Sequence, residues 1–410
     1  MKPLHSERHA GGSLPSTLLF GLSAILLVIC IVYAPGEAFH ASGQGLSIWW
    51  RVVFPALLPF LVLTEILLAS GFAHGLGVLL EPLTRRGLGL PGSYAWVLPL
   101  GLTAGFPAAA SASASLYKQG KITALEAERM ASTAHFGSPM LLVVVIGTGY
   151  MSRPELGLFL LAVHWLSGIA AGVTLHLLSS GTRSLRKTGS VAPKASPKPT
   201  VSRFRLAAVQ MEDARRADGR SFGKLLGDAV SAGVQTLMTV GGYMIIFAVV
   251  IHVLLSALPD IIPAYSVAGA LEIHLGTHAV AETAMPPAIV SALLGAFLGW
   301  SGICAYLQVR AVLKPVGLGS ALFLVNRLIH GAYAYVLTLL LWRPLTRLLP
   351  GTLPANAETG YAVIRSGEGM GFPIPEWKQI AGLIQMQFSL FFLLITGILI
   401  LSLITRKRSS

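Results

Sequence analysis

Two ionisable residues stand within apolar sequence, where a charge is costly. Arg327 lies beside Asn326 and His330, and Glu65 lies in a separate apolar stretch. A charged side chain at the bilayer centre costs at least ~2.5 kcal/mol, so each of these residues needs a compensating role. We predict that Arg327 is a cation for an anionic ligand, or else an interfacial arginine whose head reaches water. We predict that Glu65 carries a coupling proton, or else caps a neighbouring broken helix.

One spacing resembles a metal site. His274, His278 and Glu282 fall four residues apart, which would place them on one helical face. However, Gly276 and its polar neighbours argue against a regular helix, and there is no zinc-protease motif in which two histidines flank a glutamate. We therefore predict no metal. The chain also contains no nucleophile elbow, phosphate loop or paired-carboxylate signature, so neither a cofactor nor an enzymatic activity is predicted.

Two glycine motifs share one pattern. Residues 101–107 read Gly-Leu-Thr-Ala-Gly-Phe-Pro, and residues 295–302 read Gly-Ala-Phe-Leu-Gly-Trp-Ser-Gly. Such spacing is common where two membrane helices pack closely, and this is the alternative for either copy. Two copies instead favour interrupted helices at matching points of two halves, which transporters use to bind substrate near the membrane midplane.

The composition defines the surroundings of these residues. Of 410 residues, 54% are hydrophobic and 11% charged, and the mean hydropathy is +0.70. Soluble domains carry about 25% charged residues, so a cytosolic enzyme, a nucleic-acid binder and a disulfide-rich secreted domain are excluded. We predict an all-α polytopic membrane protein.

The apolar stretches predict membrane spans and one hairpin. Residues 95–116 are predicted to form a re-entrant hairpin, because they are broken at the first glycine motif and flanked by basic residues. The first apolar stretch is predicted to be an uncleaved helix and not a signal peptide. The predicted spans are 17–34, 49–70, 139–150, 156–178, 240–258, 287–306, 321–342 and 388–404.

A basic segment divides the chain. Eleven of the 30 Lys and Arg residues, but only three of the 17 acidic residues, lie between Gly181 and Lys224. Basic loops beside membrane helices stay on the cytoplasmic side, so we predict a cytoplasmic linker that also contacts lipid headgroups. An interfacial helix is predicted after it, before the chain enters the membrane near Thr236. The predicted divisions are 1–48 (N-terminal helix and loop), 49–180 (first repeat), 181–231 (linker and interfacial helix), 232–345 (second repeat, inverted relative to the first) and 346–410 (loop and C-terminal helix).

Several stretches resemble the nucleoside-recognition, or Gate, family, in its sporulation branch. The matching stretches are 54–60, 101–107, 116–122, 126–129, 239–243, 271–273, 299–302 and 326–331, with Gly276 and Gln308. The sequence departs from the family at 133–139, where the family usually has a turn rich in Asn and Thr. The resemblance implies an architecture similar to concentrative nucleoside transporters. The predicted substrate-binding residues are Gly105, Phe106, Pro107, Ser138, Glu272, Gly299, Trp300, Ser301, Gln308, Asn326 and Arg327.

The same resemblance implies a function. It implies passage of dipicolinate from the mother cell across the outer forespore membrane during sporulation. A small planar dianion suits helix N-termini together with an arginine. A nucleoside transporter and a non-transporting assembly factor of the spore envelope remain as alternatives. The expected partners are the small anion and membrane lipids but not nucleic acid, and a homo-oligomer stays open.

Overall fold

The computed structural model describes residues 14–106, 108–181 and 202–348, and these are helical throughout with short connections. No strand occurs among them. The α-helices are α1 (Leu14–Tyr33), α2 (Pro35–Ile48), α3 (Phe54–Ala69), α4 (Phe72–Pro82), α5 (Val97–Ala104), α6 (Ala108–Lys118), α7 (Ala124–Thr133), α8 (Pro154–Gly181), α9 (Arg203–Asp218), α10 (Phe222–Ala257), α11 (Ala264–Leu271), α12 (Ile273–Ala281), α13 (Pro287–Trp300), α14 (Gly302–Leu313) and α15 (Ala321–Leu348). Three π-helices (Trp49–Val53, Leu83–Gly87 and Leu141–Tyr150) and two 3₁₀ turns (Gly92–Tyr94 and Lys314–Val316) complete the described elements.

Five stretches in the described part are long and apolar enough to cross a membrane. They are Pro35–Ala69, Pro154–Leu178, Phe222–Ala257, Pro287–Val316 and Ala321–Pro344. A membrane-spanning helix needs about 20 apolar residues. The prediction of an all-α polytopic membrane protein is thus confirmed. The predicted C-terminal span, 388–404, lies outside the described residues.

The predicted hairpin is present as two short helices. Helix α5 ends at Gly105, whose φ of 75° and ψ of −157° suit glycine and disfavour other residues. Helix α6 returns from this break and packs against α5. The prediction that residues 95–116 form a broken segment is therefore confirmed, because two helices with an interruption between them occupy this range.

A second hairpin, α11 with α12, was not predicted. Glu272 separates the two helices in an extended conformation, with φ of −140° and ψ of 127°. The expectation that Gly276 prevents a regular helix is wrong, because Gly276 lies within α12. A Cβ on Gly276 would lie 2.2 Å from the Cα of Gly269, so the paired glycines allow α11 and α12 to approach closely.

Two further helix pairs are each interrupted. Residues 134–138 separate α7 from the helical turn that leads into the third π-helix, and Ser301, with φ of 67°, separates α13 from α14. Each half thus contains a long helix, a hairpin, an interrupted pair and a second long helix in that order, with α4 as an additional helix before the first hairpin. By this order the break at Gly105 takes the place of the break at Glu272, whereas the second glycine motif ends at the break at Ser301. The inverted relation of the halves stays a prediction.

The segment between the halves differs from expectation. Helix α9 forms within the predicted linker and packs against α4, where a Cβ on Gly71 would meet the Met211 carbonyl at 2.3 Å. Helix α10 continues unbroken past Thr236, so the separate interfacial helix is not observed. The described part of the linker is therefore packed on the helical body.

The core lies where α8, α13 and α15 meet. Side chains such as Phe159, Val163, Leu294 and Leu298 are buried there together. The packing of these helices holds α7, the third π-helix and the hairpin α11–α12 in place, because each contacts at least one of the three. The hairpin α5–α6 packs instead against α4, α7 and α14.

Candidate functional site

A cleft opens between the long helices α3 and α10 and the interrupted segments. Its volume is about 70 Å³. Small-molecule pockets typically measure about 300–1,000 Å³, so a ligand enters this cleft only if it widens. The lining residues are Leu57, Leu61, Ala104, Gly105, Phe106, Ser138, Leu141, Thr236, Leu237, Val240, Tyr243, Glu272, Ile273, His274, Cys304, Ala305 and Gln308.

Four helical segments begin at the cleft wall. The lining includes the break before α6, the start of the third π-helix, the start of α12 and the first two turns of α14. The first turn of a helix leaves backbone N–H groups without acceptors in the same helix, and it carries partial positive charge. The cleft thus collects four such ends although it contains no lysine or arginine side chain among its lining residues.

The most polar feature of the cleft is a carboxylate beside an imidazole. Glu272 is 2% exposed, and its Oε2 accepts a hydrogen bond of 2.8 Å from the backbone N–H of Leu275, which caps α12. Its Oε1 lies 2.8 Å from Nδ1 of His274. Glu272 joins α11 to α12 in an extended conformation, and both members of the pair line the cleft.

Five predicted binding residues come together in the cleft. They are Gly105, Phe106, Ser138, Glu272 and Gln308. The hydroxyl of Ser138 accepts from the backbone N–H of Leu141 at 3.2 Å, and Nε2 of Gln308 lies 3.2 Å from Sγ of Cys304. Pro107 lies outside the described residues.

Arg327 lies outside the lining of the cleft and has a different set of contacts. It is 1% exposed, and its Nη1 donates to the carbonyls of His135 at 2.7 Å and Gly299 at 3.3 Å. Its Nη2 donates to the Ser132 carbonyl at 3.1 Å. A guanidinium suits this task because its donors are fixed in a planar fork. The alternative of an arginine whose head reaches water is wrong, because the side chain is buried.

The other predicted residues near Arg327 join the interrupted helices to their neighbours. Nδ2 of Asn326 donates to the Ser132 carbonyl at 2.7 Å, and the indole N–H of Trp300 donates to the Ala270 carbonyl at 2.9 Å. Gly299 lies at the crossing of α13 and α15, where a Cβ would be 2.7 Å from Cα of Gly331. These residues, together with Ser301 at the break itself, are not among the residues that line the cleft.

Three buried histidines lie next to this group. The ring of His135 is 4.2 Å from the ring of Phe106, and Phe106 lines the cleft. Nε2 of His164 accepts from the backbone N–H of Gly137 at 2.9 Å, and Nε2 of His330 lies 2.9 Å from the His164 carbonyl. His164 thereby binds the backbone of the interruption between α7 and the π-helix, and His330 binds the backbone of α8.

Glu65 belongs to an ion-pair network away from the cleft. Its Oε1 lies 3.0 Å from Arg220, which also contacts Asp218 at 2.7 Å and Asp228 at 3.4 Å. The Glu65 side chain is 34% exposed. Hydrogen bonds donated by Arg220 lower the pKa of Asp218, and acceptance of its hydrogen bonds by Asp218 and Glu65 raises the pKa of Arg220. The network connects α3, the loop after α9 and the start of α10.

Sequence reasoning missed several cleft residues. Leu57 and Leu61 on α3, together with Val240 and Tyr243 on α10, form its helical walls. They are ordinary apolar or aromatic residues of membrane spans, so their types do not mark a site. Leu57, Val240 and Tyr243 do lie in the stretches that carry the family resemblance, at 54–60 and 239–243, and this was the available signal.

The possible metal ligands do not form a site. His274 faces Glu272, while Nδ1 of His278 lies 3.7 Å from Glu282. Within residues 14–106, 108–181 and 202–348, no group of three or more His, Cys, Asp or Glu side chains is arranged to hold a metal ion.

The fold and cleft define a class: a polytopic α-helical membrane protein with two hairpins and two interrupted helices around one cleft. Residues 50–153 match the Gate family, described as nucleoside recognition. The chain is 34% identical over 351 residues to the sporulation integral membrane protein YlbJ of Bacillus subtilis (strain 168), covering 80% of this chain and 84% of that protein. No solved structure matches. The chain therefore belongs to the family of the sporulation integral membrane protein YlbJ, and is an integral membrane protein.

Proposed function

We propose that this protein is a transporter of a small organic anion, dipicolinate, which it moves from the mother cell across the outer forespore membrane during sporulation. The single observation that carries the proposal is the convergence of four helix starts on one cleft. The membrane and sporulation setting is supported by the name of the relative.

The helix starts at the cleft favour an anionic substrate, whereas the Glu272 carboxylate opposes one until its charge is neutralised. Helix N-termini bind carboxylates and phosphates through backbone N–H groups and through the helix dipole. A planar dicarboxylate presents two anionic groups at fixed separation, so that helix starts on different walls bind both at once. Phe106 and the apolar walls from α3 and α10 provide contacts for an aromatic ring.

The size of the cleft requires movement during transport. A cleft of about 70 Å³ is too small for a substrate of this kind. The hairpin α5–α6 meets the opposite wall at Gly105, where a Cβ would lie 3.1 Å from Cβ of Ser138. Displacement of this hairpin tip would widen the cleft, as expected for a carrier that alternates between closed and open states.

A nucleoside transporter is the second candidate. The observation that favours it is the group of uncharged and acidic hydrogen-bonding side chains in the cleft, Ser138, Glu272 and Gln308, beside Phe106. Such groups can bind hydroxyls and a base, and the Gate family is described by nucleoside recognition. The absence of lysine and arginine from the lining also suits a neutral substrate.

Thermal stability of the purified protein in detergent separates the candidates. A ligand present at 100 times its Kd stabilises the folded state by about 2.7 kcal/mol. We expect dipicolinate to raise the melting temperature and a panel of nucleosides to leave it unchanged. Benzoate, which has one carboxylate, serves as the matched control ligand and should give a smaller shift.

Two outcomes contradict the proposal. A shift with a nucleoside but not with dipicolinate would support the second candidate. No shift with any ligand, from protein that melts cooperatively, would favour a non-transporting assembly factor of the spore envelope. We propose no catalytic activity and no cofactor.

A further inference from the structure

We propose that the Glu272–His274 pair takes up one proton when the dicarboxylate binds, so that anion and proton move together. The inference rests on the proposed function and goes further, because it gives the site a coupling ion. It also moves the coupling role from Glu65 to the cleft.

The net charge of the Glu272–His274 pair depends on one proton. Oε1 of Glu272 lies 2.8 Å from Nδ1 of His274, and both residues line the cleft. When the pair lacks the proton, the Glu272 carboxylate is ionised and the His274 imidazole is neutral, so the pair carries a charge of −1. With that proton, the pair is neutral overall.

The lining of the cleft supplies no compensating cation. Lysine and arginine do not occur among the residues that line the cleft. Arg327 donates to backbone carbonyls outside the lining, and Glu272 has no basic side-chain partner other than His274 among the described residues. A dianion placed beside a charge of −1 in a site of low dielectric is repelled, whereas a neutral pair removes that repulsion.

The other ionisable groups near the pair are not suited to take up the proton. Tyr150 on the π-helix lies within electrostatic range of Glu272, as does Cys304 on α14, and Tyr243 on α10 faces the same cleft. Tyrosine and cysteine side chains ordinarily titrate above neutral pH, at about 10 and about 8.5. The cleft residues contributed by α3, by α5 and by the break before α6 carry no ionisable side chain.

Further along α12 lie His278 and Glu282, which face each other at 3.7 Å. The Glu282 side chain is 68% exposed. Its charge is therefore screened by solvent, and it provides a matched control on the same helix.

The experiment measures protons and ligand together. Binding of dipicolinate to the full-length protein in detergent is followed by calorimetry between pH 6 and pH 8, in buffers with different ionisation enthalpies. Carboxylates ordinarily titrate near pH 4, so the ligand keeps its charge over this range. We expect about one proton taken up per ligand, and a Kd that falls by up to about tenfold for each pH unit of acidification.

The variants assign the proton to the pair. Glu272→Gln keeps an oxygen acceptor for the N–H of Leu275 but cannot titrate, so we expect a Kd that is independent of pH and proton uptake near zero. Glu282→Gln should behave like the unaltered protein. His274→Gln is a second variant in case Glu272→Gln does not fold, and it should reduce the uptake to less than about half a proton.

One set of outcomes would contradict the proton coupling, and another would contradict the proposed transport function on which the coupling rests. Dipicolinate binding without proton uptake, or with one proton still taken up by both cleft variants, would contradict the coupling while leaving anion transport intact. No dipicolinate binding by the folded, unaltered protein at any pH would contradict the proposed function itself.

Discussion

Arg327 donates a hydrogen bond of 2.7 Å to the backbone carbonyl of His135, across 192 residues of chain. His135 lies in the interruption that follows α7. The same guanidinium reaches Gly299, which lies in the last turn of α13. One side chain on α15 therefore binds the C-terminal ends of both interrupted helices. Because those ends carry partial negative charge, they compensate a buried cation for which no carboxylate lies within ion-pair distance among the described residues.

The contacts of Arg327 predict the effect of its removal. Arg327→Ala leaves the carbonyls of Ser132, His135 and Gly299 with fewer or no donors. A buried polar group without a partner costs about 1–3 kcal/mol, so we expect a fall of at least ~2 kcal/mol in the free energy of unfolding. Transport should fall with it. Thermal denaturation in detergent and uptake by reconstituted protein measure the two effects.

Arg51→Ala is the matched control for Arg327→Ala. Arg51 is exposed, in contrast to Arg327, and follows the exposed Trp50. We expect little change in stability or transport. Equal losses in the two variants would contradict the bridging role of Arg327.

The two motif glycines are predicted to differ. Gly105 lines the cleft, and alanine there meets an unfavourable φ of 75°, so Gly105→Ala should reduce ligand-induced stabilisation most. Gly299→Ala instead forces α13 away from Gly331, and we expect a general loss of about 1–3 kcal/mol in stability. Melting temperatures with and without dipicolinate separate the effects.

Gly242→Ala provides the control for these glycine variants. Gly242 lies within α10, and no atom lies within 4 Å of the position its Cβ would take. We expect stability to be unchanged or raised by up to about 1 kcal/mol. If Gly299→Ala were as stable as Gly242→Ala, close packing of α13 on α15 would not explain Gly299.

The Arg220 network predicts a pH dependence. The pKa of Asp218 is lowered in the folded state by hydrogen bonding to Arg220. A lowered carboxyl pKa stabilises the fold above the unfolded value of about 3.9, and this contribution is lost as the pH falls through the folded pKa. Arg220→Met should therefore lower the melting temperature equally from pH 5 to pH 8, by roughly 2–4 °C. The difference should shrink below about pH 4.

Arg216→Met tests whether any lost ion pair has this effect. Arg216 pairs with Glu212 within α9, but both side chains are largely exposed, at 74% and 62%. We expect no measurable change in melting temperature at any pH. A pH-independent difference between Arg220→Met and the unaltered protein down to pH 3 would exclude Asp218 as the titrating group.

The sequence indicated the first hairpin but not the second, for a physical reason. Gly105 marks a break because glycine tolerates a backbone conformation that other residues avoid. Glu272 marks the equivalent break with an extended backbone that any residue adopts, and its carboxylate serves as the cap. No local pattern distinguishes such a break from a continuous apolar segment.

The cost of burying charge correctly singled out Arg327, but not its partners. Those partners are backbone carbonyls, which every residue carries, and they come from α7 and α13. Glu65 presents the same problem, because Arg220 lies 155 residues further along the chain. Membrane spans, by contrast, follow from length and hydropathy alone. Long-range pairs depend on the folded arrangement of helices.

Uptake of dipicolinate by liposomes containing the purified protein tests the central claim most directly. Orientation and insertion are first verified by protease accessibility, and protein-free liposomes give the background rate. We predict uptake well above that background, with little uptake of uridine under the same conditions, and reduction of the dipicolinate rate in Gly105→Ala liposomes. A dipicolinate rate equal to that of protein-free liposomes, with correctly inserted protein, would contradict the proposal that this protein transports the anion.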